Sequence, residues 1–209
     1  MEVKNSFAVV RIVDDDVGVR DSYKFLVESD GWFVRTYASA EDFLAHDDPS
    51  VPGCVVLDVR MPGLSGLELQ AKLSGLVHKI PVIFISAHAD IEMVVKAMQK
   101  GALDFLPKPI KDESLLSSIE KAVVIDRERR RRSTEKSEIL GSWNALSPRE
   151  QETAVLIAEG LLNKQIADKL NITERTVQVH RAHVFSKFGV RNAVQFAQKL
   201  MIMNSSENV

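Results

Sequence analysis

Only one cysteine, Cys54, occurs in the 209 residues, which excludes a disulfide framework and leaves too few thiolates for a structural zinc site. Long apolar runs are also missing: the longest, such as PVIFI, are far too short to span a bilayer. The first residues, MEVKNSFAVVRIVDDD, have no long apolar stretch ahead of their charges and no small-residue cleavage site. A cytoplasmic protein without membrane attachment is therefore expected. What remains is the composition of a globular protein of one or two domains, 45% hydrophobic and 27% charged, able to bury a core without staples.

The formal net charge of -2 conceals an asymmetry. Residues 1–120 hold 12 Lys and Arg against 19 Asp and Glu, a net of -7, whereas residues 121–209 hold 15 against 10, a net of +5. Two modules are implied, the basic one suited to a polyanion.

In the first part, apolar runs alternate with helix-length amphipathic segments. FAVVRIV, WFVRTY, CVVLD, PVIFIS and LDFLP read as strands, with helices expected near 17–29, 39–46, 65–76, 90–100 and 112–125. Nearly continuous apolar strands with helical crossovers predict a doubly wound parallel sheet of about five strands, flavodoxin-like in class. Ser39 with Asp42, and Ser65 with Glu68, carry the spacing of helix capping boxes. The stretch DRERRRRSTEKSE (126–138) looks too charged to bury any face, so it is expected to be a solvated linker or helix extension. Beyond it, helical periodicity near 147–159, 163–170, 174–187 and 190–202 predicts a small all-α domain. The expected domains are thus residues 1–125, a charged linker or helix extension at 126–142, and a helical domain at 143–209.

In open α/β sheets, ligands bind outside the carboxyl ends of the strands. There the first run ends in Asp14, Asp15 and Asp16, the third in Asp58 and the fourth in Ser86, and the fifth carries Phe105 followed by Lys108. Carboxylates gathered at one edge repel unless a cation neutralises them, and oxygen-only ligands suit magnesium. Taken singly, the acidic triplet reads as a strand end and helix cap, Lys108 as a surface lysine and Phe105 as core; their common register at strand ends carries the functional reading.

IVDDD, VVLDVRMPGLSG, FISAHAD and DFLPKP, in this order, resemble the receiver domain of two-component response regulators over residues 7 to about 125. The resemblance implies that Asp58 accepts a phosphoryl group from a phosphohistidine on a sensor histidine kinase. It implies magnesium, or manganese, held by Asp15, Asp58 and the backbone carbonyl of Arg60, with Asp14 acting through a water. Lys108 and Ser86 would contact phosphoryl oxygens, with Ser86 standing where the family commonly has Thr. Ala87 would leave room for the group, and Ser86 and Phe105 would form the switch. Lys108-Pro109 corresponds to a bond often cis in relatives, and Arg60 and His88 would tune hydrolysis.

LSPREQE, then GLLNKQIADKLNITERTVQVHRAHVFSKFGV, resemble the LuxR-type helix-turn-helix domain over about 146–202. Together the two resemblances identify a NarL/FixJ-type transcriptional regulator. Periodicity supports this independently: Ile166, Ala167 and Leu170 form an inner face, Asn171 breaks the helix, and Thr173 can cap a second helix with an apolar stripe of Val177, Val184 and Phe188. Arg175, Gln178, Val179, Ala182 and Ser186 fall on its opposite face, which would enter the major groove. There Arg175 and Gln178 can read base edges and Val179 a thymine methyl. Lys164, Thr173, Thr176, His180, His183 and Lys187 suit phosphates. Leu162 stands where relatives often have Ser, leaving Asn163 as the expected cap of the first helix of the pair. His180 and His183 lack further Cys or His neighbours in sequence and do not read as metal ligands, and the run Arg129 to Arg132 reads as solvated linker with a possible phosphate contact.

The expected function is a phosphorylation-switched transcription factor that forms a homodimer, binds double-stranded promoter DNA and engages RNA polymerase. Two rivals use the same residues. A haloacid-dehalogenase-like phosphohydrolase would carry a second Asp two positions after its nucleophile, where this chain has Arg60; an adaptor would bind proteins through both domains without DNA.

Overall fold

The computed structural model describes residues 8–75, 79–87 and 90–205. The chain divides into two compact units, Met1–Arg130 and Arg131–Val209.

In the first unit, β1 (Val9–Val13), α1 (Val17–Ser29), β2 (Phe33–Tyr37), α2 (Ala40–His46), β3 (Gly53–Asp58), α3 (Gly66–Leu73), β4 (Val82–Ser86), α4 (Ile91–Gln99) and β5 (Asp104–Pro107) alternate. The sheet has the order β2-β1-β3-β4-β5, and every pairing is parallel. The two-residue period of the strands sorts their side chains between two cores. Val13, Val55, Leu57 and Phe84 pack with α2, α3 and α4. Val10, Ile12, Val56 and Ile83 pack on the other face with Val27 of α1 and Leu115 and Ile119 of α5 (Asp112–Asn144). Burial on both faces explains why β3 and β4 are unbroken apolar runs.

Of the two forms expected for the charged stretch, the chain takes the helix extension: α5 continues past residue 125 as one helix of 33 residues to Asn144. Its charged stretch is not uniformly solvated. Asp126 is 1% exposed because Arg130 Nε pairs with it at 2.8 Å, one helical turn away. Further along, Ile139 is buried in the core of the second unit.

In that unit, α6 (Pro148–Ala158), α7 (Asn163–Leu170), α8 (Glu174–Phe188) and α9 (Ala193–Asn204) surround Ile166, Val177, Val184, Phe188 and Phe196. Asn171 takes the left-handed conformation, φ 53°, ending α7, and Thr173 caps α8 by accepting from Thr176 N at 3.1 Å. This is the three-residue turn of a helix-turn-helix. The cap expected at Asn163 is one residue off: Leu162 is the N-cap, and the side chain of Gln165 accepts from its backbone N at 2.8 Å. Leucine has no side-chain acceptor, so one arm of the usual reciprocal cap is lost.

Candidate phosphoryl site and DNA-binding face

The order β2-β1-β3 places the topological switch point between β1 and β3, where a doubly wound sheet opens a crevice at its carboxyl edge. Asp14 follows β1 and Asp58 ends β3. Both are buried, at 1% and 6% exposure, and both accept from the same ammonium: Lys108 Nζ lies 2.7 Å from Asp14 Oδ2 and 2.8 Å from Asp58 Oδ1. The second oxygen of Asp58 accepts from Arg60 N at 2.7 Å. Lys108 is itself held in place by its backbone N donating to Ser86 O at 2.8 Å.

The electrostatics follow from burial of like charges around one cation. Burial pushes the Asp58 carboxyl above its ordinary range, with the nearby Asp14 adding to the rise, while Lys108 and the Arg60 N–H oppose it. For Lys108, burial pulls the ammonium down, but its hydrogen bonds to Asp14 and Asp58 and their charges outweigh it, and the net shift is upward. The lysine therefore stays charged and holds the two carboxylates together.

Asp15 is exposed, and Asp16 caps α1, accepting from Gly18 N and Val19 N. Ser86 is buried at the end of β4. Phe105 is half-buried on β5, its ring centroid 6.0 Å from that of Phe84. The Lys108-Pro109 bond is cis. Arg60 and Ala87 are exposed, and His88 lies outside the described residues. Among the described residues, no three His, Cys, Asp or Glu side chains form a metal cage. The carboxylate oxygens of Asp14 and Asp58 meet at this edge, and oxygen donors of this kind fit a hard dication retaining several waters, which needs no such cage.

Three residues given no role by the sequence reading shape this edge. A Cβ on Gly66 would lie 2.2 Å from the carbonyl oxygen of Asp58, so only glycine lets α3 begin so close to that residue. Glu41 Oε1 accepts from Leu64 N at 2.8 Å, fixing the loop before α3. Arg20 donates to the Asp14 carbonyl at 2.6 Å. The second glycine of PGLSG was a visible signal; Arg20 and Glu41 gave none, because ordinary helix-surface charges look alike in sequence.

On α8, Val177, Val184 and Phe188 are buried while Arg175, Gln178, Ala182 and Ser186 are exposed and Val179 is 48% exposed. Thr173 and Lys164 are exposed, and Thr176 and His180 are half-buried. Four of the expected phosphate ligands have protein partners: Thr173 and Thr176 share a hydrogen bond between their Oγ1 atoms at 2.8 Å, and Lys187 and His183 meet the first turn of α6. Lys187 Nζ donates to Glu150 Oε2 at 2.7 Å and to Ala145 O at 2.9 Å, and His183 Nδ1 lies 3.2 Å from Glu150 Oε1. Glu150 is 5% exposed and also receives Ser147 N at 2.8 Å, closing the capping box of α6. The Lys187 hydrogen bond and then the Ser147 N–H draw its carboxyl down to about 2. Sequence reasoning missed Glu150 altogether: its spacing from Ser147 was a visible signal for the cap, but nothing in LSPREQE signals the tie to α8.

Two family models match the chain. The response regulator receiver domain covers residues 10–120, and the luxR family of bacterial regulatory proteins covers 144–200. The chain is 41% identical over 201 residues to nodulation protein W of Bradyrhizobium diazoefficiens, covering 96% of this chain and 88% of that protein. It is 43% identical over 183 residues to response regulator protein TodT of Pseudomonas putida, covering 88% and 81%. Among solved structures, response regulator StyR superposes with a TM-score of 0.86 at 41% identity, covering 94% of this chain and 99% of that one. Full-length FixJ from B. japonicum gives 0.56 at 34% identity, covering 93% and 96%.

Proposed function

This chain belongs to the two-component response regulators that join a receiver domain to a LuxR-type DNA-binding domain, and from that premise we propose that Asp58 is its phosphoryl acceptor and α8 its recognition helix. The family consists of DNA-binding transcription regulators, not enzymes, so the phosphohydrolase and adaptor alternatives fall away. A sensor kinase and DNA are the partners that the two domains imply.

One observation carries the acceptor assignment: Lys108 Nζ bridges Asp14 and Asp58 at the switch point of the sheet. In the reaction, a carboxylate oxygen of Asp58 attacks phosphorus, the P–N bond to the kinase histidine breaks as the new P–O bond forms, and the imidazole leaves. Lys108 neutralises a phosphoryl oxygen as a point charge, and the Ser86 hydroxyl donates to another. Receiver domains generally hold Mg2+ in an acidic pocket. Here Asp15, Asp58 and the Arg60 carbonyl would hold magnesium or manganese, with Asp14 acting through a water, and the ion would supply charge neutralisation for the transferring group. Repositioning of Ser86 and Phe105 on phosphorylation of Asp58 then changes the surface formed by α4, β5 and α5.

The α4 surface supports homodimerisation. Ile91, Val95 and Met98 recur at helical spacing and are 84%, 45% and 44% exposed. A dimer presents two recognition helices to paired half-sites, multiplying weak single contacts through effective concentration. Arg175, Gln178 and Val179 read bases, and Lys164, Thr173, Thr176 and His180 meet phosphates, while Lys187 and His183 hold α8 on Glu150. From the bound promoter the dimer engages RNA polymerase. The test is duplex affinity, on a selected site, before and after acetyl phosphate with magnesium. Tighter binding and a doubled solution mass after treatment are expected, and no change in either would refute the switch.

A further inference from the structure

A buried polar cluster at the opposite end of the sheet from Asp58 has no part in the functional reading above. The Arg11 side chain is wholly buried and donates Nε to both oxygens of Asp47 at 2.8 Å. Its Nη2 donates to the carbonyls of Asp48 and Val51, each at 2.9 Å. From α5, Arg130 donates Nη1 to Ser50 O at 2.7 Å and Nη2 to Pro49 O at 2.8 Å. Four successive carbonyls, 48 to 51, are thus gripped by two arginines on different elements.

Arg130 Nε is paired with Asp126 Oδ2, and that same oxygen accepts from Gly53 N at 2.9 Å. Asp126 Oδ1 is buried without a hydrogen-bond partner among the described residues. An orphaned carboxylate oxygen is costly, and a buried ion pair is seldom better for stability than apolar packing. Stability alone therefore does not account for the cluster.

Its connections do. Gly53 opens β3, whose six residues are all buried and whose last is Asp58. A Cβ on Gly53 would lie 1.9 Å from the Val9 carbonyl oxygen, so β3 starts hard against β1. A second route runs through side chains: Asp47 Oδ1 accepts from Tyr37 Oη at 2.7 Å, and the Tyr37 carbonyl accepts from Asp14 N at 3.3 Å. Both routes join the phosphoryl site to α5 where that helix leaves the first unit.

We propose that Asp126 and Arg130 are positioning residues of the phosphorylation response, latching the root of α5 to the strand that carries Asp58. The proposal rests on the reading of Asp58 as acceptor. Past Arg130 the helix runs through RRSTEKSE, which has no apolar residue with which to hold itself on a core, so the latch sets where the helix is anchored.

The test uses the full chain and Arg130→Ala, Asp126→Asn and Arg130→Lys, the last keeping the charge without the planar fork. Arg131→Ala is the control, because the Arg131 side chain is 70% exposed and pairs across the surface with Glu135. By hydrogen exchange, the Gly53 amide and the amides of 127–135 should exchange about tenfold faster in Arg130→Ala and Asp126→Asn, and unchanged in Arg131→Ala. Phosphoryl incorporation, read by intact mass, should stay at the wild-type level. The ratio of duplex affinities with and without phosphorylation should fall to within about twofold of unity in both variants, with Arg130→Lys intermediate. Unchanged exchange would overturn the latch. Faster exchange with a wild-type affinity ratio would overturn the positioning role. A wild-type chain that takes up no phosphoryl group would instead refute the Asp58 reading, and the positioning role with it, leaving exchange to decide whether the latch exists.

Discussion

The two units handle charge in opposite ways. The first buries it: Arg11, Asp14, Asp58 and Asp126 are all within a tenth of full burial, each paired with an opposite charge. The second keeps Arg175 and Lys164 in solvent and, among the described residues, buries a single charged side chain, Glu150, beneath Lys187 and His183. Phosphoryl chemistry needs charges held in fixed positions before the group arrives, because reorganising them during transfer would raise the barrier. Binding to DNA needs cations that can reach a polyanion and displace its counterions, which burial would prevent. The contrast teaches that similar residue types serve chemistry or recognition according to where packing puts them.

If that contrast is right, loss of a buried charge in the first unit should cost the most. Arg11→Ala strands Asp47 in the interior and is expected to destabilise the first unit by about 3–5 kcal/mol, measured by urea denaturation of the full chain; a loss below about 1 kcal/mol would mean water replaces the guanidinium. Gln178→Ala should leave the fold intact and reduce discrimination at one base position by about 1–3 kcal/mol, read from affinities for a panel of single-base variants. Equal weakening on every duplex would place Gln178 on the phosphates instead.

Glu150→Gln probes the exception in the second unit, with an expected loss of about 1 kcal/mol from the weakened cap and ion pair. Because the folded-state carboxyl is depressed to about 2, its stabilisation is complete above the ordinary glutamate range near 4.5 and is lost as pH falls through about 2. Wild type should therefore lose its advantage over Glu150→Gln between those values in thermal denaturation, and a pH-independent gap would contradict the ion pair. The smallest effect belongs to Lys164→Ala: about fivefold weaker binding to all duplexes at ~0.15 M salt, with the salt slope reduced by about 0.9. Anisotropy titrations at several salt concentrations measure it.

Much of this was legible in the sequence because it is local. Strands ended where apolar runs ended, so Asp14, Asp58, Ser86 and Lys108 could be assigned to one edge of the sheet, and Ser39, Ser65 and Thr173 announced helix starts. What stayed hidden depends on partners far away in the chain. Arg11 looks like a polar interruption of FAVVRIV until Asp47, 36 residues on, is seen to receive it. Asp126 and Arg130 looked solvated because their partners, Gly53 and Ser50, lie 73 and 80 residues away. Lys187 looked like a phosphate ligand because nothing near it in sequence reveals Glu150, 37 residues earlier.

The assignment of Asp58 is tested most directly by the intact mass of the full chain after incubation with acetyl phosphate, with and without magnesium, beside Asp58→Asn. A gain of one phosphoryl group that requires magnesium and is absent in the variant is the predicted result. An equal gain in Asp58→Asn, or none in the wild type under any condition, would contradict it.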